Sequence, residues 1–458
     1  MQIDFSQHSQ LAQEYAAQRD ALALSLYDGL RDAHWQALNL QWLYHWLCAQ
    51  GQRAASIAVD QVLYTFDPGS PNDYDLQLAE TIRKAGETLA DPEFTALGDM
   101  CRAGYLANLE KRYEEMLPML NRLLELSRAL PAERQAVAHR TRGLRYFWLE
   151  RYAEAFTDFD LAVILSPQRA DYYSYRARAH HFLGNSQAAI ADFSQAIALD
   201  PQAPINYWFR GLVRYHLGDY QAALEDFSQT ITLQPDDAAN YRWRGQTYYA
   251  LRRYEEALAD FNRAVEMNPE DGYNVHWRGT LYHGLERYEE ALADLNRAVE
   301  LSPNNPSNYR WRGQTYLDLR NLPAAIADLT KALELQPDNG YIAYLLGRAY
   351  YASEDKEAAL THFDLAVRLQ PEDRFNHHWR GIVYYELGRY AEALDDFTIA
   401  IRLKPDEEEN YYLRGRVLYA MNRKLEAIQD FTRAAQINPN GGFNFHWRGS
   451  INYELGNY

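Results

Sequence analysis

The sequence predicts an all-helical protein built from stacked antiparallel pairs of helices. Prolines recur every 34 residues from Pro167 to Pro439, nine in one register, and such a period marks a tandem repeat. With each proline as position 32, nine full repeats cover 136–441, and half of a tenth covers 442–458. A hydrophobic content of 47%, with 14% aromatic residues, is ample for a continuous core.

The residue pattern within each repeat predicts two amphipathic helices. Positions 4, 7, 8 and 11 share one face of a first helix, and positions 20, 24 and 27 share one face of a second. Position 8 is usually glycine, position 20 is always alanine, and position 24 is Phe or Leu. The small residues let the two backbones approach closely while the position-24 side chain fills the space beside them. Short turns such as 217–220 and 387–390 join the helices, and the proline ends the second one.

These landmarks resemble the tetratricopeptide repeat family. In one repeat they are Tyr241, Gly245, Tyr248, Ala257, Phe261 and Pro269. The resemblance covers about 323 of the 458 residues and implies a right-handed α-solenoid whose first helices line a concave groove. It also implies binding of other proteins through that groove, with no shared catalytic chemistry.

Residues 1–135 keep helical character but lose the strict register. Leu38–Pro68, with Gly51 at a turn, and Leu97–Arg128, with Gly104 and Tyr113, look like degenerate repeats. The segment 66–75, rich in Pro and Gly, is the best candidate for a break. We interpret this region as diverged repeats that cap the array. A separate small helical domain is the alternative.

Composition narrows the function classes. The 46 basic residues against 63 acidic ones leave a formal charge of −17, which disfavours nucleic-acid binding. The N-terminus shows no secretory signal, and Leu38–Cys48 is too short and polar to span a membrane. With only Cys48 and Cys101 as thiols, we expect a cytoplasmic protein without membrane contact.

No known catalytic motif is present, so we expect a protein without enzyme activity, cofactor or metal. His45 and Cys48 lie one helical turn apart, and two such ligands without a third are a weak metal signal.

Two recurring polar patterns receive structural interpretations. Arginine at position 7 accompanies aspartate at position 23 in eight of nine repeats, and the exception has Leu346 and His362 instead. This covariation predicts a bidentate ion pair between the helices of a repeat. Asparagine at position 3 is interpreted as the N-cap of the first helix. It occurs at Asn206, Asn240, Asn274, Asn308, Asn376, Asn410 and Asn444.

The candidate ligand site consists of polar and aromatic residues at positions 5, 6 and 9, since the family resemblance implies that positions 2, 5, 6, 9 and 12 face the groove. These residues are Arg242, Trp243, Gln246, His276, Trp277, Arg310, Trp311, Gln314, Arg348, His378, Trp379, His446 and Trp447. Tryptophan beside Arg or His is typical of interaction hot spots. The alternative is that each tryptophan packs between neighbouring first helices as core.

Charge distribution favours an acidic ligand only modestly. Positions 1–14 of the ten units contain 18 basic and 6 acidic residues, and without the nine position-7 arginines the basic count falls to 9. The family's Lys- and Asn-based carboxylate clamp is not reproduced, since Lys is missing from positions 2, 5 and 6.

The sequence therefore predicts a non-enzymatic scaffold that binds a protein or peptide segment, acidic or rich in aromatic residues, in the groove. The alternative is a ligand-sensing regulator or toxin-neutralising partner that acts through residues 1–135. We also expect the apolar end at 442–458 to self-associate or fray, since it offers Phe443, Phe445 and Trp447 on half a repeat.

Overall fold

The computed structural model describes residues 5–22, 32–50, 55–65 and 72–456. The regular elements in these ranges are α-helices, and successive helices pack as pairs. The prediction of an all-α protein of stacked helix pairs is confirmed. The chain divides into two compact units, Met1–Pro235 and Asp236–Tyr458.

The first unit begins with helices that precede the regular repeats. They are α1 (Phe5–Asp20), α2 (Ala33–Gln50), α3 (Ala55–Thr65), α4 (Asn72–Leu89), α5 (Pro92–Leu109) and α6 (Tyr113–Ser127). Helix α1 packs on α2, α4 packs on α5, and α5 packs on α6. One apolar cluster joins α2 to α6 and includes Leu43, Leu78, Cys101 and Leu123, all fully buried. Ala138 of the first regular repeat also belongs to this cluster, so the core of this region continues into the repeats.

The predicted degenerate repeats fall among these helices. Gly104 of α5 is buried, and a Cβ at this position would overlap the side chain of Met119 in α6. The two helices therefore approach closely at this glycine. Gly51 and residues 66–71, which include most of the predicted break, lie outside the described residues. The domain boundaries and the interpretation of 1–135 as a cap stay predictions.

Three regular repeats complete the first unit. Their helices are α7 (Ala132–Trp148), α8 (Tyr152–Leu165), α9 (Ala170–Phe182), α10 (Ser186–Leu199), α11 (Pro204–His216) and α12 (Tyr220–Leu233). Three residues join the two helices of each pair, so helices that contact each other along their length must run antiparallel. Each second helix ends two residues before the position-32 proline, as Leu165 and Pro167 show.

The second unit continues the same pattern from repeat 4 to the first helix of repeat 10. Its helices are α13 (Ala238–Ala250), α14 (Tyr254–Met267), α15 (Gly272–Gly284), α16 (Tyr288–Leu301), α17 (Pro306–Asp318), α18 (Leu322–Leu335), α19 (Gly340–Ala352), α20 (Lys356–Leu369), α21 (Arg374–Glu386), α22 (Tyr390–Leu403), α23 (Glu408–Ala420), α24 (Lys424–Ile437) and α25 (Gly442–Glu454). Helix α25 exposes Phe443 and Tyr453. Self-association through this helix stays a prediction.

The small residues at positions 8 and 20 set the distance between paired helices. All nine position-20 alanines and all nine position-24 side chains are fully buried. A Cβ on Gly245 would come within 2.7 Å of Cε1 in the Phe261 ring, closer than van der Waals contact allows. The predicted close approach of the two backbones is therefore confirmed.

The predicted Arg–Asp pairs are confirmed in eight repeats. In repeat 5, Nε and Nη2 of Arg278 donate to Asp294 Oδ2 at 2.7 Å and Oδ1 at 2.8 Å. The same bidentate pairing joins Arg142–Asp158, Arg176–Asp192, Arg210–Asp226, Arg244–Asp260, Arg312–Asp328, Arg380–Asp396 and Arg414–Asp430. In repeat 7 His362 stacks on Tyr350 instead, with ring centroids 5.3 Å apart.

Candidate functional site

The first helices of the second unit lie side by side. Contacts join α13 to α15, α15 to α17, α17 to α19, α19 to α21, and α21 to α23. We call the side chains at positions 2, 5, 9 and 12 of these helices and of α25 the first-helix face. Most of the predicted site residues lie on it, and the position-6 tryptophans lie beside it.

Position-5 side chains connect each repeat to the next one. Arg242 Nη1 donates to Asp271 Oδ2 at 2.9 Å and to Asn274 Oδ1 at 3.1 Å. His378 Nδ1 lies 2.8 Å from Asn410 Oδ1. Each of these partners stands 29 to 32 residues later in the chain. Two of the predicted ligand residues are therefore engaged in stacking the repeats.

The position-3 asparagines do not have the N-cap role that the sequence predicted. Asn274 is the third residue of α15, and Asp271 caps this helix by accepting from the Tyr273 backbone N–H at 2.8 Å. Asn274 Nδ2 instead donates to the backbone oxygens of Ala264 and Asn268 at 3.1 and 3.2 Å. The N-cap prediction is wrong because Asp271 caps the helix, while the Asn274 side chain points back to backbone carbonyls at the end of the preceding helix.

Asn308 and Asn376 make the equivalent bonds to the helices that precede them.

The position-6 tryptophans pack against the preceding repeat. Three half-buried indoles stack on position-24 rings, with centroid distances of 6.3, 6.4 and 5.9 Å for Trp277–Phe261, Trp379–Phe363 and Trp447–Phe431. Each also meets a position-12 tyrosine edge-on, in the pairs Trp277–Tyr249, Trp379–Tyr351 and Trp447–Tyr419. These contacts favour the alternative that these tryptophans are stacking core.

Two further tryptophans are half-buried in other surroundings. Trp311 meets the His283 ring edge-on at 5.2 Å. The backbone oxygen of Trp243 accepts from Thr247 Oγ1 at 2.8 Å within α13.

The histidines and glutamines of the predicted site differ in accessibility. His276 is only 5% exposed, and burial lowers the pKa of its imidazole to about 4, so this side chain is neutral near pH 7. His446 is exposed, and its ring lies 6.5 Å from that of Trp447. Gln246 is buried. Gln314 is half-buried, and its Oε1 atom is buried without a hydrogen-bond partner among the described residues.

Arg310, at position 5 of repeat 6, and Arg348, at position 9 of repeat 7, form no ion pair within the described residues. They differ in this from Arg242 and from the position-7 arginines of repeats 4 to 6. The Arg310 guanidinium lies 4.3 Å from the Trp311 ring centroid and 5.9 Å from that of Tyr341. Burial lowers the pKa of Arg310. The Arg348 guanidinium lies 5.9 Å from Tyr344 and 5.4 Å from Trp379.

Tyr341 and Tyr344 connect these two arginines. Their rings stack with centroids 5.9 Å apart, and Tyr341 is 40% exposed. We call Arg310, Tyr341, Tyr344, Arg348 and Trp379 the repeat-7 cluster. The two tyrosines were not among the ligand-site residues predicted from the sequence. Repeat 7 is nevertheless the repeat that departs from the pattern at positions 3, 6, 7 and 23.

The N-terminal part of the chain holds a separate cavity of about 440 Å³ between α5 and α6. Phe94, Leu97, Met100 and Leu126 are among the residues that line it. His45 lies near His8, with 2.8 Å between their Nδ1 atoms, and Cys48 is fully buried. The described residues contain no group of three side chains suited to holding a metal. No described helix is long and apolar enough to cross a bilayer.

The helix pairs and their inter-repeat contacts define an α-helical repeat protein. A tetratricopeptide repeat model matches residues 140–204, 175–238, 210–272, 244–306 and 380–442. Two further models of this repeat match residues 278–345 and 316–377. The chain belongs to the tetratricopeptide repeat family. Proteins of this family are typically non-enzymatic scaffolds for protein interactions.

Several solved structures are similar to parts of the chain. YrrB, described as a tetratricopeptide repeat protein with an unusual peptide-binding site, is 25% identical and covers 41% of this chain and 96% of its own, with a TM-score of 0.37. The Cut9–Hcn1 hetero-tetramer of the APC/C is 15% identical, with coverages of 94% and 97% and a TM-score of 0.47.

A tetratricopeptide repeat protein from Parabacteroides merdae is 20% identical, with coverages of 55% and 99% and a TM-score of 0.41. No curated protein matches this chain significantly.

Proposed function

We propose that the first-helix face of the second unit binds an extended segment of another protein. The observation that carries this proposal is the repeat-7 cluster, in which partly exposed aromatic rings alternate with two guanidinium groups that form no ion pair with any described residue. Aromatic and arginine side chains provide most of the binding energy at protein interfaces. The family's role as an interaction scaffold supports the same conclusion.

The ligand is proposed to be extended because equivalent side chains recur on neighbouring parallel helices. An extended chain presents a side chain to one face every two residues, and it can therefore follow a row of helices. The contacts expected along this row are stacking on Tyr341, which is 40% exposed, and hydrogen bonds to the half-buried Gln314 side chain. Such a site requires no catalytic step, and we propose a cytoplasmic location.

The test is a selection of peptides on the full chain. A random library of 12-residue peptides is panned, and the dissociation constants of selected peptides are measured by fluorescence anisotropy. Tyr341→Ala should weaken binding about tenfold or more, as loss of an aromatic hot spot does. The matched control is Glu255→Ala with Glu289→Ala, because both glutamates are exposed at the start of second helices.

Failure to select any peptide, or equal affinity for the Tyr341→Ala variant and the control, would remove the proposal.

The cavity between α5 and α6 supports the second candidate function, a regulator that senses a small ligand through residues 1–135. Its volume of about 440 Å³ falls within the range of small-molecule sites, and its lining is largely apolar. Leu97→Trp would fill the cavity. If this variant binds partners and small apolar ligands as the parent chain does, the second candidate is wrong.

A further inference from the structure

We propose that Arg310 and Arg348 bind carboxylate groups of the partner, so that the bound segment is acidic at the repeat-7 cluster. This inference rests on the proposed function and specifies its ligand. Three features of the molecule support it. Arg310 has lost the partners that hold Arg242, its charge is not needed to stack the repeats, and aromatic rings lie beside both guanidinium groups.

Arg310 is the counterpart of Arg242, which stands two repeats earlier. The two arginines occupy the same place in segments of identical sequence, 240–248 and 308–316. Arg242 pairs with Asp271 at 2.9 Å and with the Asn274 side chain at 3.1 Å. One repeat further along from Arg310, those two positions hold Asn339 and Ile342.

An amide and an alkyl group thus replace both acceptors of the Arg242 guanidinium. The Asn339 side chain is itself engaged, because its Oδ1 caps α19 by accepting from the backbone N–H groups of Tyr341 and Ile342. Arg310 has therefore lost the partners that hold its twin, because the next repeat has changed.

The charge of the position-5 side chain differs between repeats. Repeats also stack with an uncharged side chain at position 5, since His276 is neutral near pH 7 and Tyr344 occupies the position in repeat 7. Withdrawing a guanidinium from water without a counter-ion costs free energy, and burial lowers the Arg310 pKa accordingly. The charge is therefore not needed to stack the repeats, and a carboxylate from outside would offset its desolvation.

The surroundings of the Arg310 and Arg348 guanidinium groups suit a carboxylate ligand. Glu386, at the end of the helix that carries Trp379, is held elsewhere: it pairs with Lys356 at 2.9 Å and accepts from the Tyr351 hydroxyl at 2.7 Å. Tyr341 and Tyr344 form an aromatic wall between the two guanidinium groups. A planar carboxylate can accept two parallel hydrogen bonds from one guanidinium while the adjacent rings exclude water.

The carboxylate can come from Asp or Glu side chains or from the C-terminus of the bound segment. Peptides selected on the full chain separate these sources when each is made with Asn and Gln in place of Asp and Glu, and with a free or amidated C-terminus. Loss of binding on the first change identifies side chains, and loss on the second identifies the C-terminal carboxylate.

The decisive comparison uses two substitutions at equivalent positions. Arg310→Met should weaken binding of the selected peptides about 10- to 100-fold, because it removes a charge-assisted hydrogen bond, and it should leave the melting temperature unchanged or raise it. Arg348→Met should weaken binding similarly. Arg242→Met, the stability control, should lower the melting temperature because it breaks the Asp271 pair. The exposed pair of changes Glu255→Ala with Glu289→Ala is the affinity control and should leave binding unchanged.

The outcomes separate this inference from the proposed function. The acidic-segment inference would be overturned if the selected peptides neither contain an excess of Asp and Glu nor need a free C-terminus for binding. It would also be overturned if the Arg310→Met variant binds the peptides with the affinity of the parent chain. Either result would leave groove binding intact. Arg310→Met lowering the melting temperature as much as Arg242→Met would also overturn the acidic-segment inference. If no peptide is selected at all, the proposed function fails, and the inference fails with it.

Discussion

The Arg278–Asp294 pair tests how the two helices of a repeat are held together. The perturbation is a double-mutant cycle with Arg278→Ala, Asp294→Ala and both together. The two side chains are 21% and 11% exposed, and two hydrogen bonds of 2.7 and 2.8 Å join them. Arg278 Nη1 also donates to Asn262 Oδ1 at 3.2 Å, in the preceding repeat.

The expected magnitudes follow from this burial. Removing Arg278 leaves a buried carboxylate without its cation, and removing Asp294 leaves a partly buried guanidinium, so each single change should cost about 2 to 4 kcal/mol of unfolding free energy. The double variant leaves neither charge behind. It should therefore cost less than the sum of the single changes, by about 2 kcal/mol.

The assay is equilibrium urea unfolding followed by circular dichroism. The control cycle is Arg287→Ala with Glu290→Ala, an ion pair in the same repeat whose side chains are 44% and 45% exposed. This exposed pair should show a much smaller coupling than the buried pair, because solvent screens it. Equal couplings in the two cycles, or strict additivity for Arg278 and Asp294, would refute the conclusion that the buried bridge joins the helices.

Three further predictions concern packing, polar contacts and pH. Ala257→Leu should destabilise the chain by about 1 to 3 kcal/mol, because Ala257 is fully buried next to Phe261; an unchanged urea midpoint would contradict this packing. Asn308→Ala should cost about 1 to 3 kcal/mol in urea unfolding, because it removes the two hydrogen bonds that the buried Asn308 amide donates to the end of the preceding helix. For comparison, Asn305→Ala removes the N-cap hydrogen bond of α17 from the Ser307 backbone N–H, and this variant should lose about 1 kcal/mol of unfolding free energy.

The pH prediction concerns His276, whose pKa is about 4 in the folded state against 6.5 for an unperturbed histidine. The unfolded chain binds the proton more tightly, so stability is full above pH 6.5 and falls by up to about 3 kcal/mol towards pH 4. Relative to the parent chain, His276→Gln should lose this part of the pH dependence; identical profiles of unfolding free energy between pH 4 and 7 would show that His276 is not buried as a neutral group.

Much of the fold could be predicted because the repeat is local and periodic. The glycine at position 8, the alanine at position 20 and the paired Arg and Asp at positions 7 and 23 all act within one 34-residue unit. Contacts within such a unit recur with the sequence pattern, so the pattern alone identified them. The covariation of Leu346 with His362 was sufficient to predict a bridge in the other repeats.

The candidate site required the tertiary structure because its side chains meet across repeats. Position 5 contacts residues about 30 positions later, and those residues decide whether an arginine is paired, as for Arg242, or left without an ion pair, as for Arg310. The indole of Trp277 was ambiguous in the sequence, and its stacking on Phe261 became visible only in the structure. The sequence alone determined the helix pair, whereas the packing of unlike neighbours determined which side chains remain available to a partner.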